Sequence, residues 1–220
     1  VLLANRANQD LDDDMILREV AFFMQAGSHS SANALTHSFH EINEWCRGHP
    51  EDRARLLTDD HFLQRSVHES LRLHPASPVA WRTASEAFSL PDGTDVAEGD
   101  SVVIDLMSAN LEAPLFGEDA EVFNPHRTVA ARIPPFGLSF GIGIHTCFGR
   151  DIAGGLGDAK TKGEAPHLGT LTNLLKNLMQ HDARPDPANP AVADAGTERP
   201  NWGSYPLMIG QRTTHAGAAI

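Results

Sequence analysis

The chain has 220 residues, 41% of them hydrophobic and 21% charged, the balance of a globular protein with enough apolar mass to bury a core. Its formal net charge of −12 argues against nucleic acid or an anionic membrane as the principal partner. Two cysteines, Cys46 and Cys147, make no disulfide framework and fit a reducing compartment, and neither a signal peptide nor an apolar run of the roughly 20 residues that span a bilayer is visible.

The first predicted element is a long helix over "LDDDMILREVAFFMQAGSHSSANALTHSFHEINEWC". Apolar residues recur at helical spacing from Met15 to Ile42, and the aspartates at its start suit a helix N-terminus. Phe22, Phe23 and Met24 are expected in the core, with one of them able to line a pocket. The helix centre, Ala26 to Ser31, is small and polar where a core helix should be greasy. Gly27 there costs about 1 kcal/mol relative to Ala, which close packing or function must offset.

A second helix follows in "TDDHFLQRSVHESLRLHP", with Thr58 or Asp59 as N-cap, Phe62, Val67 and Leu71 as its apolar stripe and Pro75 as its stop. From Pro78 to Asn110 short alternating runs are broken at Pro91-Asp92-Gly93 and Glu98-Gly99-Asp100, which predicts hairpins. "EAPLFGEDAEVFNPHRTVAARIPP" has neither period and reads as a long ordered loop. A helix begins in "CFGRDIAGGL", is interrupted by "GDAKTKGEAPHLG", and resumes with Leu171, Leu174, Leu175, Leu178 and Met179 on one face. The tail is proline-rich with short strand-like pieces. The expectation is a single domain over residues 1–220, mostly α with a minor β portion.

The stretch with most chemistry is Phe136 to Arg150, "FGLSFGIGIHTCFGR". A lone cysteine is most often a small buried apolar group, but a thiolate is also a nucleophile or an iron ligand. Gly141, Gly143 and Gly149 let the backbone turn tightly and approach a flat ligand, and Cys147 stands at a helix entry that favours a thiolate. Glu69 and Arg72, three apart in the second helix, share a face and can pair. Cys46 reads as structural or exposed, and His37, His40, His68 and His74 as surface or packing residues.

Phe140, Gly143, His145, Cys147 and Gly149 together closely resemble the haem-binding loop of the cytochrome P450 family, and the chain resembles the C-terminal half of that fold. The resemblance implies haem b held by Cys147 as the thiolate ligand to iron, Phe140 and Gly141 beside the porphyrin, and His145 and Arg82 as partners of its propionates. It further implies a structural ion-pair network of Glu69, Arg72 and, from "FNPHR", Arg127. The long helix then becomes the one that crosses the distal haem face, where the family usually carries an acid and a threonine. Here Ala26, Gly27, Ser28, His29 and Ser30 stand instead, so Gly27 leaves room for dioxygen, Ser30 supplies a hydroxyl, and His29 is either a proton relay or a mere contact. Phe22, Ala26, Val79, Ala80 and Trp81 fall where the family lines its substrate pocket.

By the same resemblance the activity expected is insertion of one oxygen atom from O₂ into a small organic substrate, with electrons from a ferredoxin or similar donor in the cytoplasm. The first half of the fold, with the helices that roof the pocket, would come from a longer chain or a second polypeptide. A non-catalytic haem- or partner-binding protein and a peroxide-driven oxidation stay open as alternatives. Arg150, Lys160 and Lys162 are candidates for a basic patch facing the reductant, or a solvated face.

Overall fold

The computed structural model describes residues 2–156, 167–197 and 199–210, so Lys160 and Lys162 lie outside the described residues. The long helix, α1, runs Asp13–Gly48. Its start is local chemistry: the Asp12 carboxylate accepts from the Met15 amide at 2.7 Å, and Asp13 and Asp14 occupy the first turn. A short helix α2 (Pro50–Leu56) leads to α3 (Asp60–Leu73), which Asp59 caps by accepting from the Phe62 amide at 3.0 Å.

The hairpins form as nested pairs. Strand β1 (Val79–Thr83) pairs antiparallel with β4 (Ser101–Asp105), in register Val79 to Asp105 and Thr83 to Ser101. Inside that ribbon, β2 (Phe88–Ser89) pairs with β3 (Asp95–Val96). Gly93 and Gly99 make the turns at φ of 89° and 90°, a region that side chains disfavour. Two short helices follow, α4 (Leu106–Asn110) and α5 (Ala113–Phe116). Beyond the glycine-rich stretch come α6 (Arg150–Gly154) and α7 (Gly169–Gln180). The tail adds β5 (Arg184–Pro185) paired with β8 (Leu207–Met208), and β6 (Val192–Ala193) paired with β7 (Trp202–Ser204).

The core lies where α1, α3 and α7 meet. Phe39, Ile42 and Cys46 of α1 pack with Phe62, Leu63, Val67 and Leu71 of α3, and with Leu171, Leu175 and Met179 of α7. Cys46 is therefore structural and buried, and burial pushes its thiol up to about 11. Burial on α1 begins only at Ala34. Phe22, Phe23 and Met24, expected in the core, are instead 61%, 59% and 70% exposed. Periodicity placed them correctly on a helix, but no described element covers that half of it.

The end of α3 and the tail are tied to α1 by rings and histidines. His37 stacks on His74 with centroids 4.2 Å apart, His74 meets the Glu41 carboxylate at 2.7 Å, and His40 meets the Tyr205 hydroxyl at 3.0 Å. His37, His40 and His74 thus serve packing. Burial, then the neighbouring His74, pushes His37 down to about 4 from its ordinary 6.5. The unfolded chain takes up that proton near pH 6.5 while the folded one resists it, so this histidine's contribution is complete above pH 6.5 and is lost as pH falls toward 4. His37→Phe is expected to flatten the fall in urea-unfolding stability over that window, with the pH 8 value little changed.

Candidate functional site

Arg72 is the centre from which the site is built. It is wholly buried, at 0% exposure, and spends its guanidinium on four bonds. Two go to the Glu69 carboxylate at 2.8 and 2.7 Å, and two to the carbonyls of Asn110 and Ala120, both at 2.7 Å. Spacing of three on α3 aligns the pair, and the fork of the guanidinium matches the carboxylate. Glu69 also accepts from Arg127 Nε at 2.9 Å and from the Asn124 amide at 3.1 Å. Arg127 in turn gathers the long loop around itself, donating to Asp119 Oδ1 and to the carbonyls of Phe116, Asp119 and Val122. Burial alone would lower the Arg127 guanidinium, but the Asp119 and Glu69 carboxylates hold it above its usual value. Glu69, Arg72 and Arg127 are thus brought together.

Asn110, a residue the sequence did not single out, joins this network to the glycine-rich stretch. It is fully buried; its amide donates to the Arg72 carbonyl at 2.9 Å and to Ser139 Oγ at 3.1 Å, and its Oδ1 accepts from the Leu138 amide at 2.7 Å. Ser139 Oγ donates onward to the Leu71 carbonyl at 2.6 Å. Gly137 leaves room for Asn110: a Cβ there would fall 2.1 Å from Asn110 Oδ1. Asn110 carried no local signal, because its partners lie 28 and more residues away in sequence.

From that anchorage the chain turns at Gly141 and Gly143, with φ of 66° and 62°, and closes a single 3₁₀ turn over Gly143–His145. A Cβ on Gly141 would stand 2.9 Å from the His145 carbonyl, so glycine is needed for the turn to close. The Cys147 amide donates to the Phe140 carbonyl at 2.8 Å, which fixes the cysteine backbone against the turn. Gly149 opens α6 directly behind it. Cys147 is a free, exposed thiol, and it is bordered in sequence by Ile142, Ile144 and Phe148, which are 65%, 97% and 97% exposed. His145 is exposed beside it, while Phe140 turns inward and meets Phe136 edge-on at 5.0 Å.

The remaining candidates lie apart from this loop. His29 contacts Asn33 at 3.2 Å and the Ser30 hydroxyl donates to the Ala26 carbonyl at 3.0 Å, both within α1. Nothing stands within 4 Å of a Cβ added at Gly27. Phe22 and Ala26 are exposed on the uncovered half of α1, so they enclose no pocket among the described residues. Val79 and Trp81 share the exposed face of β1, Ala80 and Arg82 lie on the other, and Arg82 donates to the Trp81 carbonyl at 2.7 Å. Arg150 pairs with Asp151 at 2.7 Å.

The donor set at the loop suits a haem iron. A single free thiol on a glycine-turned backbone is a soft ligand of the kind that holds iron, and the bare apolar side chains around it are the surface a flat apolar macrocycle would cover. Breaking the buried ion pair beneath it should be costly. Arg72→Met leaves two carbonyls and part of a carboxylate without a donor, and is expected to lower stability by about 3–5 kcal/mol in urea unfolding. Arg72→Lys should not recover it, because a point charge does not reproduce the fork.

Comparison with known proteins agrees with this geometry. The family model for cytochrome P450 matches residues 1–154, ending at the last residue of α6. Cytochrome P450 704C1 of Pinus taeda is 37% identical over 110 residues, covering 46% of this chain and 21% of that protein. Mycinamicin VIII C21 methyl hydroxylase of Micromonospora griseorubida is 30% identical over 138 residues, covering 63% of this chain and 33% of its own. Among solved structures, CYP109E1 from Bacillus megaterium in complex with corticosterone superposes with a TM-score of 0.68 at 20% identity, over 90% of this chain and 47% of that one. The chain thus spans about half the length of the solved structures it matches, and its mostly helical fold with small sheets is a part of theirs. With its family match covering most of its length, the chain belongs to the cytochrome P450 family.

Proposed function

We propose that residues 1–220 are the haem-binding C-terminal portion of a haem-thiolate monooxygenase acting on a small organic substrate. The observation that supports this most is the free Cys147 thiol, exposed on a glycine-turned loop that is tied through Asn110 to the buried Glu69–Arg72 pair. Haem b bound there would supply reductive activation of O₂ for transfer of one oxygen atom to the substrate.

The chain's own residues would divide the remaining tasks. Cys147 would hold the iron as thiolate, and the Gly141 and Gly143 turns would keep backbone bulk away from the macrocycle. His145 and Arg82 pair with its two carboxylates. On α1, Gly27 would leave space for dioxygen, and Ser30 and His29 would pass protons. For that task Ser30 must release the Ala26 carbonyl its hydroxyl now holds. His29 carries a hydrogen-bonded neighbour in Asn33, which orients its ring. Phe22, Ala26, Val79, Ala80 and Trp81 line the substrate side once the uncovered half of α1 is roofed, by the family's other half in a longer chain or a second polypeptide. Electrons come from a ferredoxin-like donor in the cytoplasm. No helix among the described residues is long and apolar enough to cross a membrane.

Absorption spectroscopy tests the assignment. The haemin-loaded chain, reduced and exposed to carbon monoxide, is expected to show the strongly red-shifted Soret band of thiolate ligation. Cys147→Ser should abolish it, whereas Cys46→Ser, at the buried cysteine, should keep it. A red-shifted band that survives Cys147→Ser, or one absent from the unsubstituted protein, overturns the reading.

A further inference from the structure

The helix behind Cys147 is too short to place itself. Helix α6 has five residues, Arg150–Gly154, and isolated helices shorter than about 12–15 residues are marginal in water. It ends because Gly155 takes φ of 77° and turns the chain away. The carbonyl of Gly154, which a continuing helix would satisfy from its own next turn, needs a partner from elsewhere.

That partner comes from α3, the helix of Glu69 and Arg72. The His68 ring donates from Nε2 to the Gly154 carbonyl at 2.7 Å, and the Gln64 amide donates to the same oxygen at 3.3 Å. Gln64 also donates to the His167 carbonyl at 3.1 Å, where the chain returns, and the Leu156 amide donates to that same oxygen at 2.7 Å. Both stumps of the interrupted helix are therefore held by one face of α3. The stumps press together closely: a Cβ on Gly169 would lie 2.4 Å from the Gly155 nitrogen and 2.5 Å from the Ala153 carbonyl.

The same contact reaches the cysteine loop. His68 is buried, at 4% exposure, and meets Phe136 edge-on at 5.4 Å, and Phe136 meets Phe140 at 5.0 Å. A Cβ on Gly154 would stand 3.2 Å from the Phe140 ring, and the Phe140 carbonyl holds the Cys147 amide. Phe140, Cys147, α6 and Gly154 thus form a closed loop of contacts, fastened to the core through His68.

We propose that His68, with Gln64 beside it, is a positioning residue for Cys147: it sets where the thiol stands by holding the far end of the short helix that follows it. The inference rests on the reading of Cys147 as the iron ligand, but its first test does not need iron. Hydrogen exchange is compared in the unloaded chain and its His68→Phe variant, which keeps a ring against Phe136 and removes the donor. The amides of Cys147–Gly155 should exchange about tenfold faster in the variant, as expected for a lost buried hydrogen bond, while α3 and the second half of α1 stay protected. His68→Gln, which restores an amide donor, should recover most of that protection. Gln64→Met, which removes only the longer bond, should shift it less, and serves if His68→Phe does not fold.

The second readout is haemin titration of the same proteins. His68→Phe should weaken haemin binding about tenfold and diminish the red-shifted band, and His68→Gln should restore both. Unchanged exchange over Cys147–Gly155 overturns the inference whether or not haem binds. Faster exchange with an unaltered spectrum also overturns it, since the contact would then be purely structural. A missing red-shifted band in the unsubstituted chain overturns the ligand assignment instead, and the exchange result then decides whether His68 fixes the position of Cys147.

Discussion

The structure depends on burying one guanidinium completely. An arginine out of water carries a desolvation cost of several kcal/mol, repaid only when every donor finds a well-placed acceptor. At Arg72 the acceptors come from three separate parts of the chain: Glu69 on the same helix, Asn110 at the end of α4, and Ala120 in the loop beyond α5. The site cannot be satisfied until all three arrive. A residue on α3 thereby dictates the course of the long segment between the sheet and the cysteine loop, which has little regular structure of its own. Arg127 completes the same logic from the other side, joining Glu69 to four acceptors in residues 116–122. The result is a loop region as fixed as a core, on which a bare thiol can be presented.

What was legible in the sequence follows the range of each interaction. The aspartate cluster before α1 and Thr58 or Asp59 before α3 could be read as helix starts, because the amides that Asp12 and Asp59 satisfy lie three residues on. The turns at Gly93 and Gly99 could be read because backbone sterics demand glycine at positive φ. The pairing of Glu69 with Arg72 was visible as spacing on a helix, but not its burial; only the resemblance to a family suggested Arg127 as the third member. Asn110, Gln64 and His68 were not legible at all. Each acts on a backbone carbonyl or amide contributed by a distant segment, and a backbone group leaves no trace in the identity of the residue that carries it.

The two halves of α1 show the other limit. Hydrophobic periodicity reports which residues share a face and says nothing of whether another element covers it. Phe39, Ile42 and Cys46 meet α3 and α7, whereas Phe23 and Met24, in the same apolar spacing, stay open. The uncovered half coincides with the small polar run from Ala26 to Ser31, the segment assigned to the distal side of the proposed haem. Its exposed Phe22, Phe23 and Met24 side chains form an apolar surface open to water. Such a surface is consistent with a chain that spans about half the length of the structures it matches.

The proximal side solves its problem differently. Where α1 is long enough to persist without cover, α6 is a single short turn, and its position is a tertiary property. The family match ends at Gly154, the residue whose carbonyl His68 and Gln64 receive. Beyond it Gly155 turns the chain away, and α3 bonds to the chain on both sides of the break, at Gly154 and at His167. One helix thus performs two duties on adjacent faces. Through Glu69 and Arg72 it fixes the loop that leads into Cys147, and through Gln64 and His68 it fixes the turn that leads out. The thiol is thereby suspended between two short segments that are bonded to the same helix.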